Sequence, residues 1–143
     1  MPTLHELNML PPGEAVKFFL SCCGSVRWAE HMAECRPFWT VQVVYNAAGT
    51  IWGYLSPEDQ REALRARAAW NEDTLPEPLV EALNLYERKF GYGFSAGPQE
   101  SAHDAILSAV RRRLEYSPAA EFDIAVREEA RKMNAEVLKR IAG

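Results

Sequence analysis

From Pro118 to the end of the chain, apolar side chains fall at Phe122, Val126, Ala130, Met133, Val137 and Ile141, always three or four residues apart. That is the period of one helical face. A strand cannot bury such a stripe, because its successive side chains point to opposite faces. The same spacing runs through Leu79, Leu83, Tyr86 and Phe90, and again through Ile106, Leu107, Val110 and Leu114. Helix punctuation accompanies it. Ser56-Pro57-Glu58-Asp59 sets a capping hydroxyl before a proline at the first helical position and two acids in the first turn. Ser117-Pro118 repeats the pair, Thr74-Leu75-Pro76-Glu77 is a looser version, and Ser101-Ala102-His103-Asp104 has a cap with an acid three residues on. Pro11-Pro12 opens an earlier helix, and Gly91 follows Lys89-Phe90 where a helix should stop. Val41-Gln42-Val43-Val44-Tyr45 has strand propensity, but Ala47-Ala48 and Ile51-Trp52 carry it on at a helical period, so helix is expected. The fold class expected is all-α, a compact bundle of seven or eight helices. One irregular stretch has content: Gly91-Tyr92-Gly93-Phe94-Ser95-Ala96-Gly97-Pro98.

Composition narrows the function classes. The 143 residues suggest a single helical domain over 1–143, long enough to bury a core without disulfides. A formal net charge of −4 argues against a nucleic-acid binder. No apolar run has membrane-spanning length, and Met1-Pro2-Thr3-Leu4-His5-Glu6 lacks the basic start of a secretory signal. No membrane association and a cytoplasmic location are therefore expected. The three cysteines, Cys22, Cys23 and Cys35, fit neither a disulfide framework nor zinc spacing and are expected to be reduced and mostly buried. His31 and Cys35 share a helical face, but no third or fourth ligand accompanies them, so no metal is expected. His103 should be exposed, and Arg111-Arg112-Arg113 reads as a solvated basic face pairing with nearby acids. Trp28, Trp39 and Trp52 read as core or interface.

Three blocks carry a family resemblance. The first is Leu7-Asn8-Met9-Leu10-Pro11, then Cys22-Cys23-Gly24-Ser25, Trp28-Ala29 and Arg36-Pro37-Phe38. The second is Ile51-Trp52 with Leu55-Ser56-Pro57-Glu58-Asp59. The third is Tyr86, Lys89-Phe90-Gly91-Tyr92, Phe94, His103 through Arg113, Pro118, Glu121 and Ile124-Ala125. In order and spacing these resemble the OHCU decarboxylase family (2-oxo-4-hydroxy-4-carboxy-5-ureidoimidazoline decarboxylase), enzymes that complete urate oxidation by making S-allantoin. The resemblance implies an all-helical fold, no cofactor and a homodimer.

The same resemblance implies changed chemistry. Counting from Leu55, the family's catalytic histidine falls on Arg67 and the proline after it on Ala68. The family's Glu-Gln helix has no counterpart between Trp70 and Pro76, where Glu72 and Asp73 are remnants. Counting from Phe90-Gly91, the substrate-binding arginine of the last helix falls on Glu136. An arginine stays charged and cannot exchange protons as an imidazole does. Arg67 and Glu136 are thus expected to form a charge pair: either a salt bridge that closes a vestigial pocket, or a catalytic pair in which the first anchors a carboxylate or enolate and the second serves as acid/base. Trp70, Glu72, Tyr92, Phe94 and Ser95 are expected to bind substrate, with Gly97 allowing close backbone approach. The expected partner is a small-molecule substrate. The first reading is a cofactor-independent lyase or isomerase in specialised metabolism. It would decarboxylate a small polar or heterocyclic acid, or carry out related proton-transfer or cyclisation chemistry. A non-catalytic relative kept for ligand binding or dimerisation is the alternative. A genuine ureidoimidazoline decarboxylase of urate degradation is the third.

Overall fold

The computed structural model describes residues 1–67, 70–97 and 100–142. Ala68, where the resemblance sets a proline, and Pro98, the end of the irregular stretch, lie outside them. Among the described residues the chain forms eight α-helices: α1 Leu4–Met9, α2 Pro12–Cys22, α3 Val26–Glu34, α4 Val41–Tyr54, α5 Pro57–Ala66, α6 Glu77–Phe90, α7 His103–Leu114 and α8 Pro118–Arg140. A 3-10 turn over Glu72–Thr74 precedes α6. The only β pairing among these residues is a single bridge between Thr3 and Ala142. No described helix is long and apolar enough to cross a membrane. The all-α fold expected from the sequence is the one observed.

The local signals act as their chemistry requires. The Ser56 hydroxyl accepts from the Asp59 amide at 3.2 Å and donates to its carboxylate at 3.0 Å. The Ser117 hydroxyl accepts from the Ala120 amide at 3.2 Å. Gly91 closes α6 in the left-handed region at φ 85°, a conformation that favours a residue without Cβ. The β-branched run at 41–45 is the first turn of α4, capped by Thr40. Two starts differ from expectation. Helix α7 begins at His103 with Ala102 in the capping place and no side-chain cap, so Ser101 does not serve. Helix α6 begins after Pro76, while the Thr74 hydroxyl donates to Asn71 O within the 3-10 turn. Thr3 and Glu6 form a capping box that starts α1.

The inner face of α8 also differs. Its buried positions are Glu121, Ala125, Glu129, Met133 and Val137, with Ile141 buried just past its end, while Phe122, Val126 and Ala130 are half-buried. In its first half the most buried register lies one residue before the apolar stripe and contains two glutamates. Hydrophobicity alone does not rank these positions, because a carboxylate with donors can be buried too.

The chain divides into two compact units, Met1–Ala66 with Glu129–Gly143, and Arg67–Glu128, the division falling within α8. In the first unit α3 packs on α2, α4 and α5. Trp28 is wholly buried there, its indole N–H donating to Ala48 O at 3.1 Å and its ring set edge-on to Phe19 at 5.8 Å. Asn8 and Phe38 exchange two hydrogen bonds of 2.8 Å, and Arg36 donates to Leu7 O and Leu10 O at 3.0 and 2.7 Å. Cys22 and Cys23 are buried and Cys35 is exposed, all as free thiols. Trp52 is buried, but Trp39 stands 88% exposed and is not core. In the second unit α6 packs on α7.

Gly24 joins α2 to α3 where a Cβ would meet the Ala66 Cβ at 2.4 Å. Neither methyl can rotate away, so backbone must move. Gly24→Ala is expected to cost about 1–3 kcal/mol, read as a lowered urea midpoint with unchanged m-value.

Candidate functional site

The second unit holds a buried polar cluster built from three helices and the irregular stretch. Arg113, near the end of α7, is 4% exposed, and Glu121, in the first turn of α8, is fully buried. The Arg113 Nε lies 2.6 and 2.9 Å from the two Glu121 oxygens. Tyr86 of α6 donates its hydroxyl to Glu121 Oε2 at 3.0 Å. The guanidinium carbon sits 4.5 Å from the Phe94 ring centroid and 5.9 Å from that of Tyr86. Its Nη1 donates to Ser95 O at 3.1 Å. The expectation that Arg111–Arg113 form a solvated face is corrected at Arg113. That residue continues the buried face of Ile106, Ala109 and Val110, and its partner lies eight residues on across a turn. Burial by itself would lower the Arg113 pKa, but the bonds and charge of Glu121 outweigh it and hold the pKa above its ordinary value. Burial, then the charges of Glu121 and Tyr92, push the Tyr86 phenol well above its ordinary value, against an opposing effect of Arg113.

The substrate-binding candidates divide between cluster and surface. Tyr92, Phe94 and Ser95 are buried. The Phe94 ring meets Tyr86 edge-on at 5.2 Å, and Tyr92 meets Tyr86 at 6.0 Å. Trp70 is half-buried and donates its indole N–H to Phe94 O at 3.0 Å, with the two rings 6.5 Å apart. Gly97 N donates to Glu100 Oε2 at 2.9 Å. The structure therefore brings Trp70, Tyr92, Phe94 and Ser95 together around a segment that sequence reasoning singled out. It adds Tyr86, Arg113 and Glu121. Glu72 is exposed, in the 3-10 turn.

Of the catalytic candidates, Arg67 follows α5 and belongs to the second unit, whereas Glu136 on α8 belongs to the first. Glu136 accepts from Arg140 Nε at 2.6 Å one turn on, which raises the Arg140 pKa.

The first unit has a cavity of about 350 Å³ lined in part by Arg27, His31, Cys35, Tyr54 and Asp59. His31 and Cys35 thus do share a face, and the His31 Nδ1 lies 3.7 Å from Glu34. Among the described residues no group of three or more His, Cys, Asp or Glu is gathered as a metal ion would need. His103 is exposed, as expected.

Comparison with known proteins identifies the class. A crystal structure of OHCU decarboxylase in the presence of (S)-allantoin superposes with a TM-score of 0.74 at 27% identity, over 85% of this chain and 94% of that one. A crystal structure of (S)-allantoin synthase superposes with a TM-score of 0.78 over 99% of this chain and 54% of that one, a likeness of fold at 19% identity. The chain thus has the helical OHCU-decarboxylase fold. The OHCU decarboxylase family model matches residues 8–73. The 2-oxo-4-hydroxy-4-carboxy-5-ureidoimidazoline decarboxylase of Haloferax volcanii is 28% identical over 88% of each chain. The uric acid degradation bifunctional protein TTL of Arabidopsis thaliana is 24% identical over 76% of this chain. The match spans 41% of that relative's length.

Truncating Arg113 would strand a buried carboxylate, so Arg113→Ala is expected to cost about 3–5 kcal/mol by urea unfolding. Tyr86 gives a pH signature. A group with its pKa raised on folding contributes stability that is fully present below its unfolded value and lost as pH rises above it. Wild type should thus lose stability above pH ~10, and Tyr86→Phe should flatten that part of the profile.

Proposed function

We propose that this protein is an enzyme of the OHCU-decarboxylase fold. It acts without a cofactor on a small carboxylated heterocycle or ureide, by decarboxylation or the related transfer of a proton to a stabilised carbanion. The observation that carries the reading is the likeness to the OHCU decarboxylase crystallised with (S)-allantoin, which extends over 94% of that chain. The irregular segment fits such a role. Tyr92, Phe94 and Ser95 gather aromatic rings and a hydroxyl in one buried segment, and Trp70 and Arg113 hold the Phe94 and Ser95 carbonyls.

In this reading Arg67 anchors the carboxylate, or the negative charge that develops as carbon dioxide leaves. A guanidinium binds either without giving up a proton. Glu136 is the acid/base of that reading, giving the proton of its carboxylic acid form to the carbanion carbon as carbon dioxide leaves and regaining one from solvent. Glu72, at the surface, serves at most the rim. The decarboxylase of urate degradation is the second reading, favoured by the curated relative from Haloferax volcanii.

Freshly generated 2-oxo-4-hydroxy-4-carboxy-5-ureidoimidazoline added to the purified chain separates these. Rapid formation of (S)-allantoin, followed by circular dichroism, establishes the second reading. Binding of (S)-allantoin without turnover of the ureidoimidazoline excludes the second reading and leaves a different carboxylated substrate or a ligand-binding relative, which carbon dioxide release from a panel of carboxylated ureides then separates. Neither binding nor turnover overturns the ureide reading and leaves a relative kept for dimerisation. With the substrate in hand, Arg67→Ala and Glu136→Gln should each lower kcat/KM at least about a hundredfold. Full activity in Glu136→Gln ends its catalytic role.

A further inference from the structure

Residues 93–97 lie outside any helix or strand, so no backbone ladder fixes their conformation. Side chains fix it instead. Trp70 Nε1 donates to Phe94 O at 3.0 Å, and Arg113 Nη1 donates to Ser95 O at 3.1 Å. Downstream, Glu100 accepts from the Gly97 amide at 2.9 Å and faces Arg112 at 3.7 Å. The first two bonds have a particular geometric consequence. The Phe94 carbonyl lies in the planar peptide group between Phe94 and Ser95, and the Ser95 carbonyl lies in the next. The only soft torsions between those two planes are the φ and ψ of Ser95. Holding both planes therefore sets the backbone of Ser95 and the direction of its Cβ.

Arg113 suits this task because it is immobile. Its side chain is 5% exposed, its Nε is bound to both oxygens of Glu121, and its plane lies on the Phe94 ring. Glu121 also balances its charge. What the arrangement holds in place is a hydroxyl. Ser95 Oγ is buried and has no hydrogen-bond partner among the described residues. Buried hydroxyls ordinarily are bonded, and one held without a protein partner marks a place for an external group. Arg113 Nη2 is likewise buried without a partner among the described residues, and Glu121 already balances the guanidinium charge, so the matching group is a neutral acceptor such as the carbonyl of a cyclic ureide rather than a second carboxylate.

We propose that Trp70 and Arg113 are positioning residues that hold the two peptide groups flanking Ser95 and so aim its hydroxyl at a neutral ureide group of the substrate. The inference rests on the reading above that residues 92–97 face substrate. Its experiment has one arm free of that reading.

In the first arm, amide hydrogen exchange is followed in the full chain without ligand. The amides of Ser95 and Ala96 lie in the two held planes. Trp70→Phe should speed their exchange roughly five- to tenfold, the effect of one lost hydrogen bond, while amides of α2 and α3 are unchanged. Arg113→Lys, which keeps the charge beside Glu121, should do the same. Unchanged exchange at both amides in Trp70→Phe overturns the positioning role.

In the second arm, (S)-allantoin is titrated as the probe. Ser95→Ala should weaken its binding about five- to tenfold. Trp70→Phe should weaken binding in the wild-type background and not in the Ser95→Ala background, because it acts through that hydroxyl. A purely structural Trp70 would cost the same in both. Equal binding by Ser95→Ala and wild type, or no binding by wild type, overturns the aimed hydroxyl. In either case the first arm still decides what holds Ser95.

Discussion

The contact between Arg113 and Glu121 organises the second unit. One carboxylate at the start of α8 receives the guanidinium of α7 and the hydroxyl of Tyr86 on α6, so three helices meet at two oxygens. Taking both charges out of water is expensive, and such a pair is tolerated where the remaining lone pairs and N–H groups are used. Here the carboxylate has donors on both oxygens and sits in the first turn of a 23-residue helix, where the helix dipole favours a negative charge. The guanidinium carbon lies 4.5 Å from the Phe94 ring centroid and its Nη1 reaches Ser95 O, while its Nη2 is buried without a partner among the described residues. A hydrophobic replacement of similar volume could fill the space, but it would have no donor for the irregular segment. The pair fixes geometry more than it adds stability.

The first unit solves a different problem with the same means. Helix α1 has only six residues, too short to be stable by propensity. Its C-terminal carbonyls are taken up by Arg36, and Asn8 is clasped by the backbone of Phe38. These contacts join the two halves of the first sequence block that resembles the decarboxylase family. Arg36-Pro37-Phe38 and Leu7-Asn8-Met9-Leu10 thus mark the fold rather than its chemistry. The same holds for Ser56, which caps α5, and for Tyr86, Phe94, Arg113 and Glu121 of the third block. A scaffold match built from such residues is specific because each has a partner to satisfy. It is silent about the reaction for the same reason.

Legibility in the sequence follows from the range of the forces. Helix positions were readable because periodicity and caps act within a few residues: the stripe from Pro118 corresponds to α8, and Gly91 stands at φ 85°. The start of α7 was misplaced by one residue because Ser101 offers a hydroxyl that the chain does not use. Arg113 was read with its two neighbours as surface charge, although it sits three residues after Val110 and seven after Ile106, on the apolar face. That spacing was visible. The partner that makes burial tolerable was not, since Glu121 follows a helix break. The one-residue offset in α8 has the same origin: Glu121 and Glu129 occupy inner positions that hydrophobicity assigns to Phe122 and Ala130. Sequence pattern finds the face of a helix but does not rank a satisfied carboxylate above a half-buried phenylalanine.

The irregular segment was legible for another reason. Gly91, Gly93 and Gly97 interleaved with Tyr92 and Phe94 permit neither helix nor ladder. A segment of that composition needs side chains from elsewhere to hold it. Trp70 reaches it from before α6 and Arg113 from α7. Trp70 stands where the resemblance finds a helix missing, and its indole N–H, rather than its ring face, is what the segment uses. A backbone without a ladder is fixed only where other side chains take up its carbonyls, and here an indole and a guanidinium each take one. Arg113 can do so because Glu121 holds it, so the order of the segment depends on the same ion pair that joins the three helices.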